Sequence, residues 1–362
     1  MDNIFKKADS FLLIIGVILF IAFLALYSAS YGPEGAAVRD YSTQQLMWMG
    51  IAVIALLLCV KFGYERCIDF GYIIFAANLL MLVSVFVLGD VRYGARRWIG
   101  LGVFSLQPSE FCKISFLLAL TKYVSDNNEN ITDPKTILGA VILCLLPMGL
   151  IMKQPDLGTA LIFLPVFFTI LLVAGVRIKH LMMIVFLAAA GSPVLWSMLK
   201  LYQKKRLLVF MNPNIDPLGA GYTIIQSRIA VGSGGLFGKG WLSGTQNQLN
   251  FLPERHTDFI FSVIGEEWGF LGAAILLSLF LFLISRFLSI ADAANDIRAK
   301  TLLSGIAVLI WMQVFINIAM TIGLMPVVGL PLPFISYGGS NLLTTMIMVG
   351  LAVSINMKHK MF

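Results

Sequence analysis

The sequence predicts an all-α, polytopic membrane protein, and three observations carry that prediction. Mean hydropathy over the 362 residues is +0.88, whereas a soluble domain needs far more polar surface than 12% charged residues supply. Apolar runs of about 16 to 25 residues, each able to cross a hydrocarbon core of roughly 30 Å, recur from residue 11 almost to the end. Lys and Arg are shared unevenly between alternate connections, which fixes an orientation across a bilayer.

Ten runs are expected to span, centred near 11–28, 45–60, 68–89, 108–124, 137–152, 157–175, 181–199, 261–285, 302–323 and 341–357. Lys6 and Lys7 precede the first run, and Ser28-Ala29-Ser30 resembles a leader cleavage site. The run is read as an anchor, because it exceeds the usual apolar length of a leader and nine more spans follow. No linker or internal repeat divides residues 1–362, so one transmembrane domain is expected, with a large loop at about 200–260 between the seventh and eighth spans.

With the N-terminus in the cytoplasm, the inner segments hold thirteen Lys and Arg, from Lys6 to Lys360. The short outer segments hold five: Arg39, Arg92, Arg96, Arg97 and Lys153. Both termini are therefore expected inside and the large loop outside. The net charge of +7 follows from this bias and from attraction to anionic lipid, so nucleic-acid binding is not expected. Cys59, Cys67, Cys112 and Cys144 form no CxxC, and His180, His256 and His359 are scattered, so no metal site is expected.

Polar residues gather in four places, all assigned to the outer side. In GARRWIGLGVFSLQPSEFCKI, 94–114, Pro108 suits the start of a helix, and Glu110 falls in its first turn, where the helix dipole favours an acid. Lys113 lies three residues on and on the same face, which suits either a structural pair or a cavity wall. In MKQPDLGTA, 152–160, Asp156 is placed to stabilise a helix N-terminus, yet Lys153, Gln154 and Asp156 together exceed what a turn requires.

The large loop contains GSGGLFGKG. A phosphate-binding GxxxxGK[ST] would need Gly where Ser233 stands and Ser or Thr where Gly240 stands. Nucleotide binding is not expected, and the stretch reads as turns or as a mobile lid. Residues 222–231 read as a short amphipathic helix lying on the membrane. In FLPERHTDFIF, 251–261, Glu254, Arg255, His256 and Asp258 directly precede an apolar span, at a free-energy cost that something must offset. PLPFISYGGSNLL, 331–343, offers Ser336 and Tyr337 as donors ahead of Gly338-Gly339, or else a structural re-entrant turn. A shared cavity open to the outer side accommodates all four places.

The strings RRWIGLG with QPSEFCKI, QPDLGTAL, LPERHTDFIFSVIGEE and LPFISYGGS, in this order and among ten spans, resemble the SEDS (shape, elongation, division and sporulation) family. The likeness covers nearly the whole chain, shows no departure at the motif positions, and is nearer the RodA elongation branch than the FtsW division branch. It implies a peptidoglycan glycosyltransferase of the bacterial cytoplasmic (inner) membrane, with its active site facing the periplasm or cell exterior. The implied substrates are lipid II and the growing glycan strand. The implied partners are a class B penicillin-binding protein and other elongation-complex membrane proteins such as MreC, MreD and RodZ.

The resemblance makes Asp258 the essential acid. Glycosyl transfer needs a base at the acceptor hydroxyl and cations at the departing pyrophosphate. Asp258 is accordingly expected as general base, with Arg97, Lys113 and either Arg206 or Arg255 on the leaving charge. Glu110 and Asp156 are expected to hold those cations in place. Gln107, Ser109, Gln154, His256, Thr257, Ser336, Tyr337 and Gly338 complete the expected substrate-binding set. No cofactor is evident; a divalent cation, Mg or Mn, is the one addition the pyrophosphate chemistry admits. The competing readings are a lipid II flippase, an ion-coupled transporter, or a non-catalytic scaffold. A carrier should continue its polar residues to the inner side, whereas most mid-span positions here are Leu, Ile, Val, Phe and Ala.

Overall fold

Every apolar run expected to span forms helix. The computed structural model describes residues 2–31, 41–92, 95–101, 104–198, 201–219 and 221–359. Arg39 and Lys360, both counted in the charge bias, lie outside these residues. Helix α1 covers Asp2–Ser30, α2 Tyr41–Phe62, α3 Tyr64–Asp69 and α4 Gly71–Leu88. Strands β1 (Asp90–Arg92), β2 (Ala95–Leu101) and β3 (Phe104–Leu106) follow. Next come α5 (Pro108–Asp126), α6 (Pro134–Lys153), α7 (Leu157–Val173), α8 (Ile178–Ala190) and α9 (Ser192–Met198). The large loop contains α10 (Leu201–Met211), α11 (Tyr222–Ser233) and α12 (Thr245–Gln248), and the chain ends with α13 (Ile260–Ala293), α14 (Ile297–Thr321) and α15 (Gly339–His359).

Among the described residues, seven helices are long and apolar enough to cross a membrane: α1, α2, α4, α6, α13, α14 and α15. Helices α7 and α8 are apolar but shorter, and α5 carries Glu110, Lys113, Lys122 and Asp126. The seventh expected span, 181–199, is divided at Gly191 into α8 and α9. Pro193 explains the break: its ring cannot follow a helical turn without a clash, but it fits the first turn of a new helix. Helices α14 and α15 are mostly buried at the centre, while α2, α4 and α13 turn most of their surface outward.

Three features depart from the sequence reading. Residues 90–106 form a small antiparallel sheet in the order β1-β2-β3, with Asp90 opposite Trp98 and Ile99 opposite Leu106. The 200–260 segment is about half helical, through α10, α11 and α12. Helix α11 docks into the bundle with Ile224, Ser227 and Ala230 buried, and Ser227 Oγ lies 2.7 Å from Ser262 Oγ and donates to the Thr321 carbonyl at 2.6 Å. A hydroxyl bonded on two sides offsets its own desolvation, so a face that looks weakly apolar still packs.

The glycine-rich stretch has a structural task. Helix α13 breaks at Gly269, where φ is 67° and ψ −162°. The freed carbonyls of Glu266 and Glu267 accept from the Lys239 and Gly240 amides, each at 3.0 Å. In return the Phe270 and Leu271 amides donate to Gly235 (2.9 Å) and Leu236 (3.1 Å). The loop therefore satisfies backbone groups that hydrocarbon cannot. At the other end of the bundle, Arg298 joins Asp69 at 2.9 Å and Ser125 Oγ at 2.9 Å, linking α14 to α3 and α5.

A Cβ at Gly269 would stand 2.2 Å from the Gly238 nitrogen, in a backbone region nearly closed to other residues. Gly269→Ala is expected to lose about 1–3 kcal/mol from backbone strain alone. The measurement is the thermal unfolding midpoint in detergent, and an unchanged midpoint contradicts the kink's role.

Candidate active site

A cavity of about 490 Å³ opens at the end of the bundle where α5 and α7 begin and α14 ends. Its wall includes Arg97, Trp98, Gln107, Arg206, Thr223, Glu254, Thr257, Asp258, Tyr337, Gly338, Ser340 and Asn341. Five separate segments supply these side chains, so no local stretch forms the site.

Asp258 sits in a turn just ahead of α13. The Glu254 carbonyl closes that turn by accepting from the Thr257 amide (3.1 Å) and the Phe259 amide (3.3 Å). Three neighbours hold its carbonyls: Tyr337 N donates to His256 at 2.9 Å, Ser336 Oγ to Thr257 at 2.6 Å and Asn317 Nδ2 to Asp258 at 2.9 Å. With the backbone committed to protein partners, the carboxyl is left to the cavity. Gly329, at φ 74°, brings bare backbone beside it: a Cβ there would lie 3.2 Å from Asp258 Oδ2. Burial pushes the Asp258 carboxyl up to about 7; Glu254 and Asp156 add to the rise, and Arg206 and Arg97 oppose it.

Among the described residues, two cations line the cavity. Arg97, on β2, donates from Nε to the Gln154 carbonyl at 2.9 Å and from Nη2 to the Pro155 carbonyl, with Nη1 3.7 Å from Asp156 Oδ2. Asp156 also accepts from the Thr159 amide at 3.1 Å, the N-cap bond of α7. Gln154 donates to the Leu82 carbonyl at 2.8 Å. The 154–156 turn therefore aims Arg97 rather than lining the cavity itself. Arg206, exposed on α10, donates to the Val327 carbonyl at 3.1 Å and lines the cavity.

Several expected ligand contacts are engaged elsewhere. Lys113 and Glu110 are 1% and 2% exposed and 2.7 Å apart. That buries the pair beneath the wall, and Asn341, which does line the cavity, donates to Glu110 at 2.9 Å. Ser109 is buried beside this pair on α5. Arg255 points away, into carbonyls of α1 and the segment around α12. His256 stacks on Tyr41, with ring centroids 3.9 Å apart and planes at 12°. The Ser336 hydroxyl, besides donating to Thr257, accepts from the Leu332 amide at 2.8 Å. The Tyr337 hydroxyl donates to Gln44 at 2.5 Å.

Sequence reasoning left Trp98, Thr223, Glu254, Asn317, Ser340 and Asn341 out of the site. Glu254 stood within FLPERHTDFIF without an assigned contact, and Ser340-Asn341 followed directly on Gly338-Gly339. Asn317 gave only the signal of an amide within an apolar run, which is costly unless bonded.

A family model described as "Cell cycle protein", FTSW_RODA_SPOVE, matches residues 8–361. The "Peptidoglycan glycosyltransferase MrdB" of Escherichia coli (strain K12) is 41% identical over 354 residues, covering 97% of this chain and 93% of the relative. The "Peptidoglycan glycosyltransferase RodA" of Treponema pallidum (strain Nichols) is 34% identical over 412 residues, covering 94% and 95%. Among solved structures, a chain of a peptidoglycan synthase complex superposes with a TM-score of 0.82 at 34% identity, covering 97% of each chain. The Thermus thermophilus rod shape determining protein RodA superposes at 0.72 and 30% identity, covering 97% of this chain and 96% of that one.

Removing one member of the Glu110–Lys113 pair strands a buried charge. Lys113→Met is expected to destabilise the fold by about 3–5 kcal/mol, with the double change Glu110→Gln, Lys113→Met recovering most of the loss. Thermal unfolding of the three proteins in nanodiscs decides this; a double variant as unstable as the single one contradicts it.

Proposed function

The chain belongs to the FtsW/RodA/SpoVE family, and on that premise we propose that it is a peptidoglycan glycosyltransferase polymerising lipid II, with Asp258 as general base. The observation that carries this reading is a carboxyl raised to about 7 in a cavity that also holds Arg97 and Arg206. A base with that proton affinity is half ionised near neutral pH and still basic enough to take a hydroxyl proton in the transition state.

In the proposed step the 4-hydroxyl oxygen of the acceptor GlcNAc forms a bond to MurNAc C1 of the donor. Its proton passes to an Asp258 carboxylate oxygen. The bond from C1 to the pyrophosphate oxygen breaks, its electron pair leaves with undecaprenyl pyrophosphate, and the α configuration inverts to a β-1,4 link. No covalent enzyme intermediate is needed. Arg97, held by the 154–156 turn, and Arg206 are the two cavity cations suited to the departing charge. Burial beneath the wall gives Glu110 and Lys113 the role of supporting it, through the bond that Asn341 of the wall donates to Glu110.

The active site is proposed to face the outer side of the cytoplasmic membrane, consistent with the Lys and Arg bias of the connections. The likeness to a chain from a peptidoglycan synthase complex supports a transpeptidase partner of the class B penicillin-binding type. MreC, MreD and RodZ are further proposed neighbours. A Mg or Mn ion is proposed only as a companion of the pyrophosphate oxygens: among the described residues no cluster of three or more His, Cys, Asp or Glu stands ready to hold one.

Asp258→Asn, purified with its transpeptidase and supplied with lipid II, is expected to yield no glycan strands. Wild-type activity is expected to rise with pH through about 7, since the base must be ionised. The same raised pKa means that ionising Asp258 costs the folded state stability above the ordinary carboxylate range. Asp258→Asn should therefore unfold at no lower temperature than wild type at pH 8. Wild-type-like polymer from the variant removes Asp258 from the base role.

A further inference from the structure

Arg255 is a buried cation three residues from Asp258 that does not line the cavity. It is 6% exposed, and its guanidinium bonds neutral oxygens on two different elements. Nε donates to the Ala29 carbonyl at 2.9 Å and Nη2 to the Tyr31 carbonyl at 3.0 Å. Nη1 donates to the Asn247 carbonyl and to Asn250 Oδ1. Ala29 and Tyr31 lie at the C-terminal end of α1, where helix carbonyls lack intrahelical partners and the dipole favours a cation. The planar fork of Arg serves two diverging carbonyls at once, which a Lys ammonium does less well.

Asn247 extends this anchorage to α13. It is 1% exposed. Its side-chain amide donates to Ser28 Oγ at 3.1 Å and to Glu267 Oε1 at 3.2 Å, and its backbone amide donates to Glu266 Oε2 at 3.3 Å. Glu267 in turn accepts from Ser28 Oγ at 2.5 Å, and Glu266 from Lys239 Nζ at 2.8 Å. Both acids stand just before the α13 break at Gly269. A continuous chain of short contacts thus runs from α1 and the kink of α13, through Asn247, to Arg255.

We infer that Arg255 is a positioning residue, which locks the Asp258 turn onto the end of α1 so that the carboxylate meets the acceptor hydroxyl at a fixed place. The geometry around the turn supports this. Contacts from 317, 336 and 337 hold the carbonyls of the turn, and Arg255 adds a side-chain anchor from the same turn to the end of α1. The inference rests on Asp258 acting as general base, as proposed above. It excludes the direct role of binding the leaving pyrophosphate, because the guanidinium hydrogens already point to four acceptors outside the cavity.

Steady-state kinetics of the full chain with its transpeptidase, using lipid II, test the inference. Arg255→Gln is expected to lower kcat on the order of 10²-fold by misplacing the base, with KM within about twofold. The acid limb of the pH–rate profile should also move to lower pH, because Asp258 on a loosened turn regains water while Glu254, Asp156, Arg97 and Arg206 remain in place. A smaller folded fraction would scale the rate at every pH and leave the limb where it was. Arg255→Lys keeps the charge and loses the fork, so it should show the same two changes.

Should Arg255→Gln fail to fold, Asn250→Gly removes one exposed acceptor and tolerates the φ of 58° at that position. It should move the limb in the same direction by a smaller amount. Raised KM at unchanged kcat would make Arg255 a substrate contact and overturn the inference, as would an unmoved limb in every variant that folds. Full polymer from Asp258→Asn would instead defeat the general-base reading, so the two failures are distinguishable.

Discussion

Withdrawing the Asp258 carboxyl from water is the constraint to which the cavity's other parts respond. Charge in a medium of low polarity favours its neutral form, and a nearby second acid, Glu254, strengthens that preference. Left alone, the two would hold Asp258 protonated and useless as a base. Arg206 and Arg97 act in the other direction, and the balance sets the group near neutrality. Under the proposed mechanism the cations have two effects with one placement: they tune the base before substrate arrives and they face the site where negative charge would develop. Because Arg97 is fixed by carbonyls of the 154–156 turn as well as by Asp156, its position does not depend on the ligand being present.

The charged residues of this end of the bundle fall into two groups by what surrounds them. Glu110 with Lys113, and Glu266 with Lys239, are closed pairs that also accept from amides or hydroxyls. Such pairs contribute little net stability over an apolar replacement, but they penalise any rearrangement that separates them. They are suited to fixing how helices meet. Asp258 and Arg206 stand at the cavity wall, where a polar substrate can complete their coordination. The energetic logic of FLPERHTDFIF follows. Arg255 is satisfied by helix-end carbonyls, Glu254 by its own turn and Thr257, and Asp258 borders a polar chamber instead of lipid.

Much of this was legible in the sequence, because hydrophobic runs long enough to span leave few alternatives to helix. The seventh run misled only where Pro193 breaks it. The four polar motifs also converge on one end of the bundle, as their alternation with apolar runs requires. What the sequence did not reveal is direction. Arg97 and Arg255 are both arginines beside a motif, yet one lines the cavity and the other turns to α1; the difference comes from carbonyls more than 50 and more than 200 residues away in the chain. Lys113 looked like a ligand contact because i, i+3 spacing shows which face it shares, not which neighbour covers that face. Glu266 and Glu267 lay within an apolar run as a visible anomaly, since two acids there require partners. Those partners are Lys239 of the glycine-rich stretch, Thr245, Gln246 and Asn247 of α12, and Ser28 of α1; the glycines serve backbone approach to the Gly269 break and not a nucleotide phosphate.

For the proposed base, Asp258, a place on a turn instead of within a helix has a physical advantage. A helical residue has its backbone groups bonded along its own axis, so its side chain follows the helix wherever packing sends it. On the 254–259 turn the carbonyls of 256, 257 and 258 are held by Tyr337 and Ser336 of the segment ahead of α15 and by Asn317 of α14, so two separate elements fix the turn that carries the carboxylate. In the proposed transfer, preorganisation of this kind would lower the reorganisation needed when the acceptor hydroxyl arrives. The cost is that the turn must find partners for all its polar groups at the boundary of an apolar bundle, which explains the density of Asn, Ser and Tyr contacts there. An equally polar site carried by one helix would need fewer such residues, and would hold its base less firmly.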